Sequence, residues 1–380
     1  MAFQLSSEHR AIKQAVREFG EEEIEPVASE HDQAGEYPEE LRRKAAEYDF
    51  VAPHIPIEYD GAGMDLLEAV LVTEELWRAD PGIGSAVGSA GFGTNMIVEY
   101  GAEWMKEEWL PKVANGEVAS FSAISEPAHG SNVAGMETRA EEDGDGYVLN
   151  GNKMWITNGT VADVGVLMAK TSPDEGHRGI TAFLVEADRD GFQTEKIDNK
   201  LGIRASDLAE VIVDDVRVPA ENVIGEVDEG FYQLMDFFAH GRTRVASQAV
   251  GAAQAALDAS LSYADEREQF GQKIGEFQAI EHKLAEMATN IEAARSLTYR
   301  AASQVAEGGD DQLAAKFASM AKLFAGEHAV DVADEAIQVH GGAGYVSDHP
   351  VERYYRDARI TKIYEGTSEI QKNIIADRLL

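Results

Sequence analysis

The sequence predicts an α+β protein in which a strand-rich segment separates two helical regions. Apolar residues recur at helical spacing from residue 7 to about 116, and short β-rich runs replace them up to about residue 224. Long Ala-rich helical patterns follow Gly230. Because helices and strands are segregated along the chain, separate domains are favoured over a doubly wound sheet. We predict an N-terminal all-α domain, a central β-domain and a C-terminal four-helix bundle, over residues 1–117, 118–226 and 227–380.

The individual elements are predicted from local patterns. In the first region the helical spacing is clear over 9–19 and 66–77, with loops around 53–63. The stretch 81–98 carries no charge but is rich in Gly and Ser, which predicts a buried helix or loop and not a membrane span. Strands are predicted at 147–149, 164–168, 180–185 and 209–213. Helices are predicted at roughly 231–265, 277–306, 311–340 and 368–378, with the glycine pair 308–309 between the second and the third.

Composition limits the function classes without naming one. A chain of 380 residues with 44% hydrophobic residues can bury two or three cores. It has no cysteine, which excludes disulfides, thiolate metal ligands and a cysteine nucleophile, and is compatible with a cytoplasmic protein. Its first residues carry early charge and no apolar run, so no secretory signal is expected. No dinucleotide-binding, phosphate-loop, zinc-protease or nucleophile-elbow motif occurs, and the ten histidines lack metal-ligand spacing, so we predict no metal.

The acidic charge is extreme, with 33 basic against 69 acidic residues and a net charge of −36. Such a surface repels nucleic acid and anionic membranes, so neither is an expected partner. In molar salt the Debye length falls to about 3 Å and self-repulsion largely disappears. Together with only 14 lysines, this favours the hypothesis of a halophilic source. In so acidic a chain the run 353–356, Arg-Tyr-Tyr-Arg, is predicted to be bundle surface or a subunit contact.

One carboxylate stands just ahead of the last predicted helix. Residues 363–371 read Ile-Tyr-Glu-Gly-Thr-Ser-Glu-Ile-Gln, and Ser368 with Gln371 has the spacing of a capping box. Glu365 would then lie on the loop that enters the helix, and Gly366 would let a ligand or another backbone approach it closely. Taken alone, the pattern also fits a glutamate that only complements the helix dipole.

Four further motifs give that carboxylate a chemical context. They are SEPAHGSN at 125–132, WIT at 155–157, REQFG at 267–271 and QVHGG at 338–342. Together with 363–371, and in this order, they resemble the acyl-CoA dehydrogenase family of flavoenzymes over essentially the whole chain. The resemblance implies the same domain order, a homotetramer built on the C-terminal bundle, and FAD as the cofactor.

A flavin requires stacking, hydrogen bonds to its ring and a partner for its pyrophosphate, and hydroxyls, a tryptophan and an arginine in these motifs can supply them. By resemblance, one set of residues lines the flavin from the β-domain: Ser122, Ser125, Ser131, Trp155, Ile156 and Thr157. A second set would hold the FAD of a neighbouring subunit: Arg267, Phe270, Phe277, Gln278, Gln338, Gly341, Gly342, Thr367 and Glu369.

The expected reaction is the α,β-dehydrogenation of an acyl-CoA thioester to the trans-2-enoyl-CoA. It needs a base in a dry site, where its pKa rises, and hydrogen bonds to the thioester carbonyl. Glu365 is the predicted base, with flavin N5 taking the β-hydride. By resemblance, the backbone N–H of Glu365 polarises the carbonyl, and Ser131, Arg242 and Gly366 contact the substrate. Electrons would pass to an electron-transfer flavoprotein, in fatty acid β-oxidation or branched-chain amino acid catabolism.

Some residues depart from the family pattern, and two other functions stay open. Position 241, which carries the base in some subfamilies, is Gly241, so Glu365 has no rival. Ala239 replaces a common acidic residue, and 128–129 read Ala-His where the family has Gly-x, which puts one CoA contact and some loop freedom in doubt. The alternatives are a flavin oxidase or monooxygenase on the same fold, or a non-catalytic flavoprotein assembly factor. A retained Glu365 argues against the second.

Overall fold

The N-terminal part of the chain is helical in the computed structural model, which describes residues 5–307 and 311–380. Its helices are α1 Ser7–Phe19, α2 Ala28–Ala34, α3 Glu39–Ala46, α4 Leu66–Ala79, α5 Pro81–Gly88, α6 Thr94–Tyr100 and α7 Glu103–Ala114. Local chemistry sets the starts: Asp65 and Glu68 form a reciprocal capping box with both hydrogen bonds at 2.9 Å, and Asp80 caps α5 with Pro81 in its first turn. Among the described helices none is long and apolar enough to cross a membrane.

The middle of the chain forms a seven-stranded sheet. Its strands are β1 Ser120–Ala123, β2 Arg139–Asp143, β3 Gly146–Thr157, β4 Val164–Lys170, β5 Ile180–Glu186, β6 Phe192–Lys196 and β7 Leu208–Pro219. The order is β1-β4-β2-β3-β7-β6, with β5 paired to β4. The four predicted strands lie within β3, β4, β5 and β7, and the fully buried residues of β4 explain its continuous apolar run. Strands β1, β2 and β6 were not predicted.

Long helices dominate the C-terminal part. They are α8 Gly230–Glu266, α9 Gln278–Glu307 and α10 Asp311–His340, followed by the shorter α11 Val351–Ala358 and α12 Ser368–Asp377. A small hairpin of β8 Glu268–Gln269 and β9 Gln272–Lys273 joins α8 to α9. The four predicted helices agree with α8, α9, α10 and α12, and the glycine pair 308–309 lies outside the described residues. The predicted domain limits at 117 and 226 stay predictions.

Helix α4 belongs to the N-terminal part but packs against α8. A Cβ added at Gly251 of α8 would stand 2.3 Å from the carbonyl oxygen of Glu74, so only glycine permits this approach. The buried Glu74 carboxylate accepts from Lys13 Nζ at 2.7 Å, Arg295 Nε at 3.0 Å and Tyr299 Oη at 2.8 Å. These bonds tie α1, α4 and α9 together and satisfy a charge that would otherwise be costly to bury.

Helix α11 provides a second junction with the N-terminal helices, contrary to the sequence prediction. Arg353 is buried, and its Nε donates to Asp80 Oδ2 at 2.9 Å, while Arg356 Nη2 donates to Asp32 Oδ2 at 2.7 Å. The prediction of bundle surface was therefore wrong for the buried Arg353, and the alternative of a subunit contact stays a prediction. The carboxylate partners of both arginines come from residues about 270 to 320 positions earlier, which no local pattern reveals.

A second buried carboxylate at this junction, Asp357, has a hydrogen-bond partner for only one of its two oxygens among the described residues. Its Oδ1 accepts from the backbone N–H of Ile203 at 2.5 Å, but Oδ2 has no partner among the described residues. Burial, and then the negative charge of Asp80, raise the pKa of Asp357 to about 8. The protonated form therefore contributes stability that is complete below the unfolded-state pKa, about 3.9, and is lost as the pH rises through about 8.

Asp357→Asn should flatten this pH dependence, because the amide keeps the shape and the Ile203 acceptor without a titratable charge. We expect the wild type to lose stability relative to the variant between pH 5 and pH 9, by up to about 1.4 kcal/mol for each unit of pKa shift. Urea midpoints at constant salt measure it. Asp214→Asn, on an exposed strand residue, is the matched control. Parallel pH curves for wild type and Asp357→Asn would contradict the assignment.

Candidate active site

The loop before α12 turns sharply at Glu365. Glu365 has φ +53° and Gly366 has φ +89°, so two successive residues adopt the left-handed region. Glycine does so freely, whereas a glutamate there is strained by about 1 kcal/mol or more. Such strain persists only where the surroundings hold the chain in place, and it is common at functional sites.

Hydrogen bonds from two helices hold this turn. Lys322 Nζ of α10 donates to the carbonyl oxygen of Gly366 at 2.6 Å. Gln371 Nε2 of α12 donates to the same oxygen at 2.8 Å and to the carbonyl oxygen of Glu365 at 3.2 Å. The predicted N-cap, Ser368, was one residue late. Thr367 is the N-cap, and its Oγ1 accepts a hydrogen bond from Ile370 N at 3.4 Å. Gln371 does not form the predicted capping box, because its side chain binds the carbonyl groups of the turn. Sequence spacing alone does not distinguish Thr367 from Ser368.

The space beside Gly366 is used by the protein itself. A Cβ added at Gly366 would meet Gln371 Nε2 at 2.7 Å, so the glycine permits the approach of that amide. Its predicted contact with substrate stays a prediction.

The Glu365 carboxylate is buried against the backbone of α8. Its Oε2 is shielded from solvent and has no hydrogen-bond partner among the described residues. A Cβ added at Gly241 would stand 2.6 Å from this oxygen. Burial raises the pKa of Glu365, and the positive charges of Arg242, Lys322 and Arg244 oppose the rise without cancelling it. A carboxylate with a raised pKa and a free oxygen is suited to accept a proton near neutral pH.

Three cations surround this single carboxylate. Arg242 is buried, its Nε has no partner among the described residues, and its guanidinium lies 5.5 Å from the ring centre of Phe238. Arg244 donates from Nη2 to the carbonyl oxygen of Gly88. Burial lowers the pKa of Lys322 to about 8, although Glu365 raises it in part. Among the described residues no carboxylate forms an ion pair within 4.0 Å of either arginine, so positive charge is in excess around Glu365.

Sequence reasoning missed Lys322, Arg244 and Tyr364. Tyr364 Oη donates to Gln248 Oε1 of α8 at 2.5 Å, which joins the Glu365 loop to that helix. The only signal for Lys322 was its position between Ala318, Ala321 and Ala325, where a charge interrupts an apolar helix face. Arg242, predicted from the resemblance, does lie beside Glu365.

The β-domain presents an unusual tryptophan. Between Lys153 and Ile156 the register of β3 against β7 shifts, and Trp155 has φ +65° at this bulge. The side chain of Trp155 at this bulge is 60% exposed. Because the strand is interrupted here, the N–H of Met154 bonds to the carbonyl oxygen of Ser125 at 2.9 Å. The bulge thus brings two predicted flavin motifs together.

The loop that carries Ser125 is anchored by a buried ion pair. Lys153 Nζ donates to Glu126 Oε1 at 2.9 Å, and the same carboxylate accepts from Thr138 N at 2.9 Å and from Glu137 N at 2.5 Å. Burial lowers the pKa of Lys153 to about 8, with Glu126 opposing the change. The sequence analysis assigned no role to either residue, although Glu126 lies within the motif 125–132 and Lys153 is two residues before the motif 155–157.

The remaining residues of this face are placed differently from one another. Ser122 is buried with no hydrogen-bond partner for its Oγ among the described residues, Ile156 is buried and Thr157 is half-buried. Ser131 is exposed on the loop. A buried hydroxyl without a partner and an exposed tryptophan fit a polar aromatic ring lying across this face.

The second predicted set lies at the far ends of α8 and α10. Phe270 is 95% exposed with φ +54° in the β8–β9 hairpin, and its ring is 6.2 Å from that of Phe277. At the end of α10, Gly341 has φ +60°, and added Cβ atoms at Gly341 and Gly342 would meet nothing within 4 Å. Four further members are exposed to solvent: Arg267, Gln278, Gln338 and Glu369. Thr367 is half-buried and is the N-cap of α12. In the described chain no hydrogen bond, ion pair or ring contact joins this set to the β-domain face.

The two sets therefore form separate surfaces of one chain. Stacked rings of Tyr263 and His340, 4.3 Å apart, bring the ends of α8 and α10 together, so the hairpin and the Gly341–Gly342 turn are neighbours. An exposed phenylalanine beside an open glycine turn fits a site that a neighbouring molecule completes.

Comparisons with known proteins identify the class of protein. The N-terminal, middle and C-terminal domain models of acyl-CoA dehydrogenase match residues 6–117, 122–216 and 228–380. The chain is 43% identical to the probable acyl-CoA dehydrogenase fadE25 of Mycobacterium leprae, over 100% of this chain and 97% of that protein. The chain therefore belongs to the acyl-CoA dehydrogenase family. It is an oxidoreductase, and its cofactor is FAD.

Solved structures share the whole fold. Butyryl-CoA dehydrogenase from Megasphaera elsdenii matches with a TM-score of 0.95 and 37% identity over 100% of both chains. A chain of the structure reported as "Electron transferring flavoprotein of Acidaminococcus fermentans: Towards a mechanism of flavin-based electron bifurcation" matches with a TM-score of 0.96 and 40% identity over 100% of both chains. The predicted order of a helical domain, a β-domain and a helical domain is thereby confirmed.

Lys322→Met should shift the pH dependence of the enzyme. Loss of its positive charge raises the pKa of Glu365 further, so the acidic limb of the rate profile moves to higher pH. Lys322→Arg keeps the charge and should leave the limb near its wild-type position. Anaerobic flavin reduction by butyryl-CoA between pH 5 and pH 9 measures it.

Lys316→Met, on the same helix, is the control for loss of one lysine. If Lys322→Met and Lys316→Met gave the same pH profile as the wild type, Lys322 would have no electrostatic influence on Glu365.

Proposed function

We propose that this protein dehydrogenates an acyl-CoA between its α- and β-carbons, with Glu365 as the base. The observation that carries the proposal is the buried Glu365 oxygen that has no partner among the described residues and faces the backbone of α8 at Gly241. In a dry site a carboxylate with a raised pKa can take the α-proton, and the free oxygen is where that proton would go.

The surrounding cations support the charge that develops on the thioester. As the α-proton leaves, negative charge moves to the thioester carbonyl, and fixed positive groups lower the energy of that state. Arg242 and Lys322 are already in place, so little reorganisation is needed. The backbone N–H of Glu365 is the proposed carbonyl donor, and Ser131 and Gly366 are the proposed further substrate contacts.

Bound FAD supplies the two-electron acceptor that takes the hydride from the β-carbon, at flavin N5. The β-domain face would hold its ring with the side chains of Ser122, Ser125, Ser131, Trp155, Ile156 and Thr157. The surface at the ends of α8 and α10 would hold the FAD of another copy, with Arg267, Phe270, Phe277, Gln278, Gln338, Gly341, Gly342, Thr367 and Glu369. The exposure of Phe270 supports the proposal of a homotetramer in which each cofactor site is shared.

The electron acceptor and the pathway are the least constrained parts of the proposal. We propose an electron-transfer flavoprotein as acceptor, and fatty acid β-oxidation or branched-chain amino acid catabolism in the cytoplasm as the setting. The match to a chain of an electron-transferring flavoprotein structure supports the first. A flavin oxidase or monooxygenase would differ in rapid reoxidation by air after substrate reduction, which stopped-flow measurement resolves.

Glu365→Gln should keep the fold and the bound flavin but lose the reaction. The amide matches the carboxylate in shape and cannot accept the proton, so flavin reduction should slow by roughly 10²–10⁴-fold, the usual contribution of general acid–base catalysis. Anaerobic bleaching of the flavin by a series of acyl-CoAs is the measurement. Reduction at a near-normal rate by a flavin-replete variant would reject Glu365 as the base.

Moving the base to position 241 should restore part of the activity. A Cβ at position 241 would lie 2.6 Å from Glu365 Oε2. Once the Glu365 side chain is removed, a glutamate side chain at position 241 can therefore occupy the space that the Glu365 carboxylate filled. We expect Glu365→Gly to be inactive and the double change Glu365→Gly with Gly241→Glu to recover partial flavin reduction.

The recovery should be incomplete because Arg242 follows position 241 directly and would depress the pKa of the new base. Gly241→Glu alone is the matched control, and it should be poorly active because two carboxylates would compete for one space. No recovery in a folded double variant that retains flavin would mean that position 241 does not face the reacting carbon.

A further inference from the structure

A cavity of about 180 Å³ lies between α8 and the N-terminal helices. Arg244 and His240 line it from α8, one turn apart, and Asn95 lines it from α6. His240 directly precedes Gly241, against which the Glu365 carboxylate packs. The cavity and the Glu365 carboxylate therefore contact the same turn of α8.

The polarity of the cavity does not match a plain hydrocarbon chain. Apolar side chains of α4 and of the loop before it form part of the wall, but His54, Thr73 and Asn95 also line it. Burial lowers the pKa of His54 to about 3, so this imidazole is neutral, and it shares a hydrogen bond of 3.0 Å with Thr94 Oγ1. Thr94 Oγ1 itself donates to the carbonyl oxygen of Gly91 at 2.7 Å, so the single N–H of His54 is the donor in its bond to Thr94, and its Nδ1 can only accept. The amide of Asn95 can donate to a ligand.

Arg244 is the charged group of the wall that lacks a counter-ion. A guanidinium has five N–H donors. Among the described residues, Arg244 donates one hydrogen bond, from Nη2 to the carbonyl oxygen of Gly88. Within the described residues no carboxylate lies within ion-pair distance of it, and burial lowers the pKa of its guanidinium. Burying a cation without a counter-ion costs free energy. A ligand that supplies an anionic group would explain why Arg244 lines this cavity.

The other charges near the cavity do not neutralise Arg244. Glu99 lines the cavity but is exposed to solvent, which screens its charge. Glu365 acts on Arg244 electrostatically, but Arg242 and Lys322 share that one negative charge. Position 244 thus adds a positive charge without a counter-ion to the wall of the cavity.

The size of the cavity limits the ligand. At about 30 Å³ for each small group, 180 Å³ accommodates about six non-hydrogen atoms. Beyond the β-carbon, a five- or six-carbon dicarboxylic chain contributes fewer atoms than that, so this part of the chain fits within the cavity volume.

We propose that Arg244 selects acyl-CoA substrates whose short acyl chain ends in a carboxylate. This inference rests on the proposed function, because the same two C–H bonds are broken and only the remote end of the substrate differs. With the end of the acyl chain in this cavity, the planar fork of Arg244 pairs with the two carboxylate oxygens, and the Asn95 amide provides a further donor. A methyl-terminated chain would fill the cavity and leave the guanidinium unpaired, which a site built for a polar group disfavours strongly.

The test compares substrates of equal length and different ends. Anaerobic flavin reduction is measured with glutaryl-CoA and adipyl-CoA, and with pentanoyl-CoA and hexanoyl-CoA. In the wild type we expect kcat/KM to be at least roughly 10²-fold higher for the carboxylate-ended member of each pair. Arg244→Met should abolish or reverse this preference, whereas Arg244→Lys should keep part of it because the charge remains and the fork is lost.

Arg300→Met, which removes an exposed arginine from α9, is the matched control and should keep the wild-type ratio. Flavin content and melting temperature show whether each variant is folded, and the wild-type ratio alone tests the inference if Arg244→Met does not fold. A wild type that prefers the methyl-ended chains, or an unchanged ratio in folded Arg244→Met, would overturn the role of Arg244 while leaving the proposed function intact. Bleaching by neither series would overturn the proposed function, and this inference with it.

Discussion

The structure of the site depends on one buried carboxylate held where positive charge exceeds negative charge. Burial raises the pKa of Glu365, and Arg242, Arg244 and Lys322 limit that rise. Burial makes the carboxylate a stronger base, whereas the three cations favour its ionised form. The same cations favour any negative charge that the reaction moves from the carboxylate to the substrate. Thus one arrangement both tunes the base and stabilises the product of proton transfer.

The position of Glu365 is fixed by elements that are distant in sequence. Lys322 of α10 and Gln371 of α12 bind the carbonyl groups of a strained turn, and Tyr364 is bonded to Gln248 of α8. Because each bond comes from a long or capped helix, the strain at Glu365 is opposed by rigid supports. Helix α8 in turn packs on α4 through a contact that only Gly251 allows. The helical domains are therefore part of the site and not merely its frame.

Helical periodicity was sufficient to predict the long helices, and five motifs in order were sufficient to predict the family. Prediction failed where tertiary contacts decide. The exposure of Trp155 follows from a bulge that is visible only in the pairing of β3 with β7. Arg353 reads as surface, but its partner Asp80 lies 273 residues away. Lys322 lies in an Ala-rich helix whose local pattern gives no reason for a buried charge. Conversely, Glu365 was predicted because it lies in a recognisable motif, and Arg242 was predicted from the family resemblance.

The contrast between surface and interior gives the charge pattern a physical meaning. The chain carries a net charge of −36. In the part of the chain that the structure describes, however, three cationic side chains act on the single carboxylate of Glu365. Exposed charges are screened by salt over about 3 Å at molar concentration, whereas buried pairs are screened much less. High ionic strength would therefore relieve repulsion among the exposed carboxylates without weakening the electrostatic interactions at the buried base. Burial thus lets the surface charge change in evolution while the chemistry at Glu365 stays the same, because the two sets of charges are coupled through solvent only weakly.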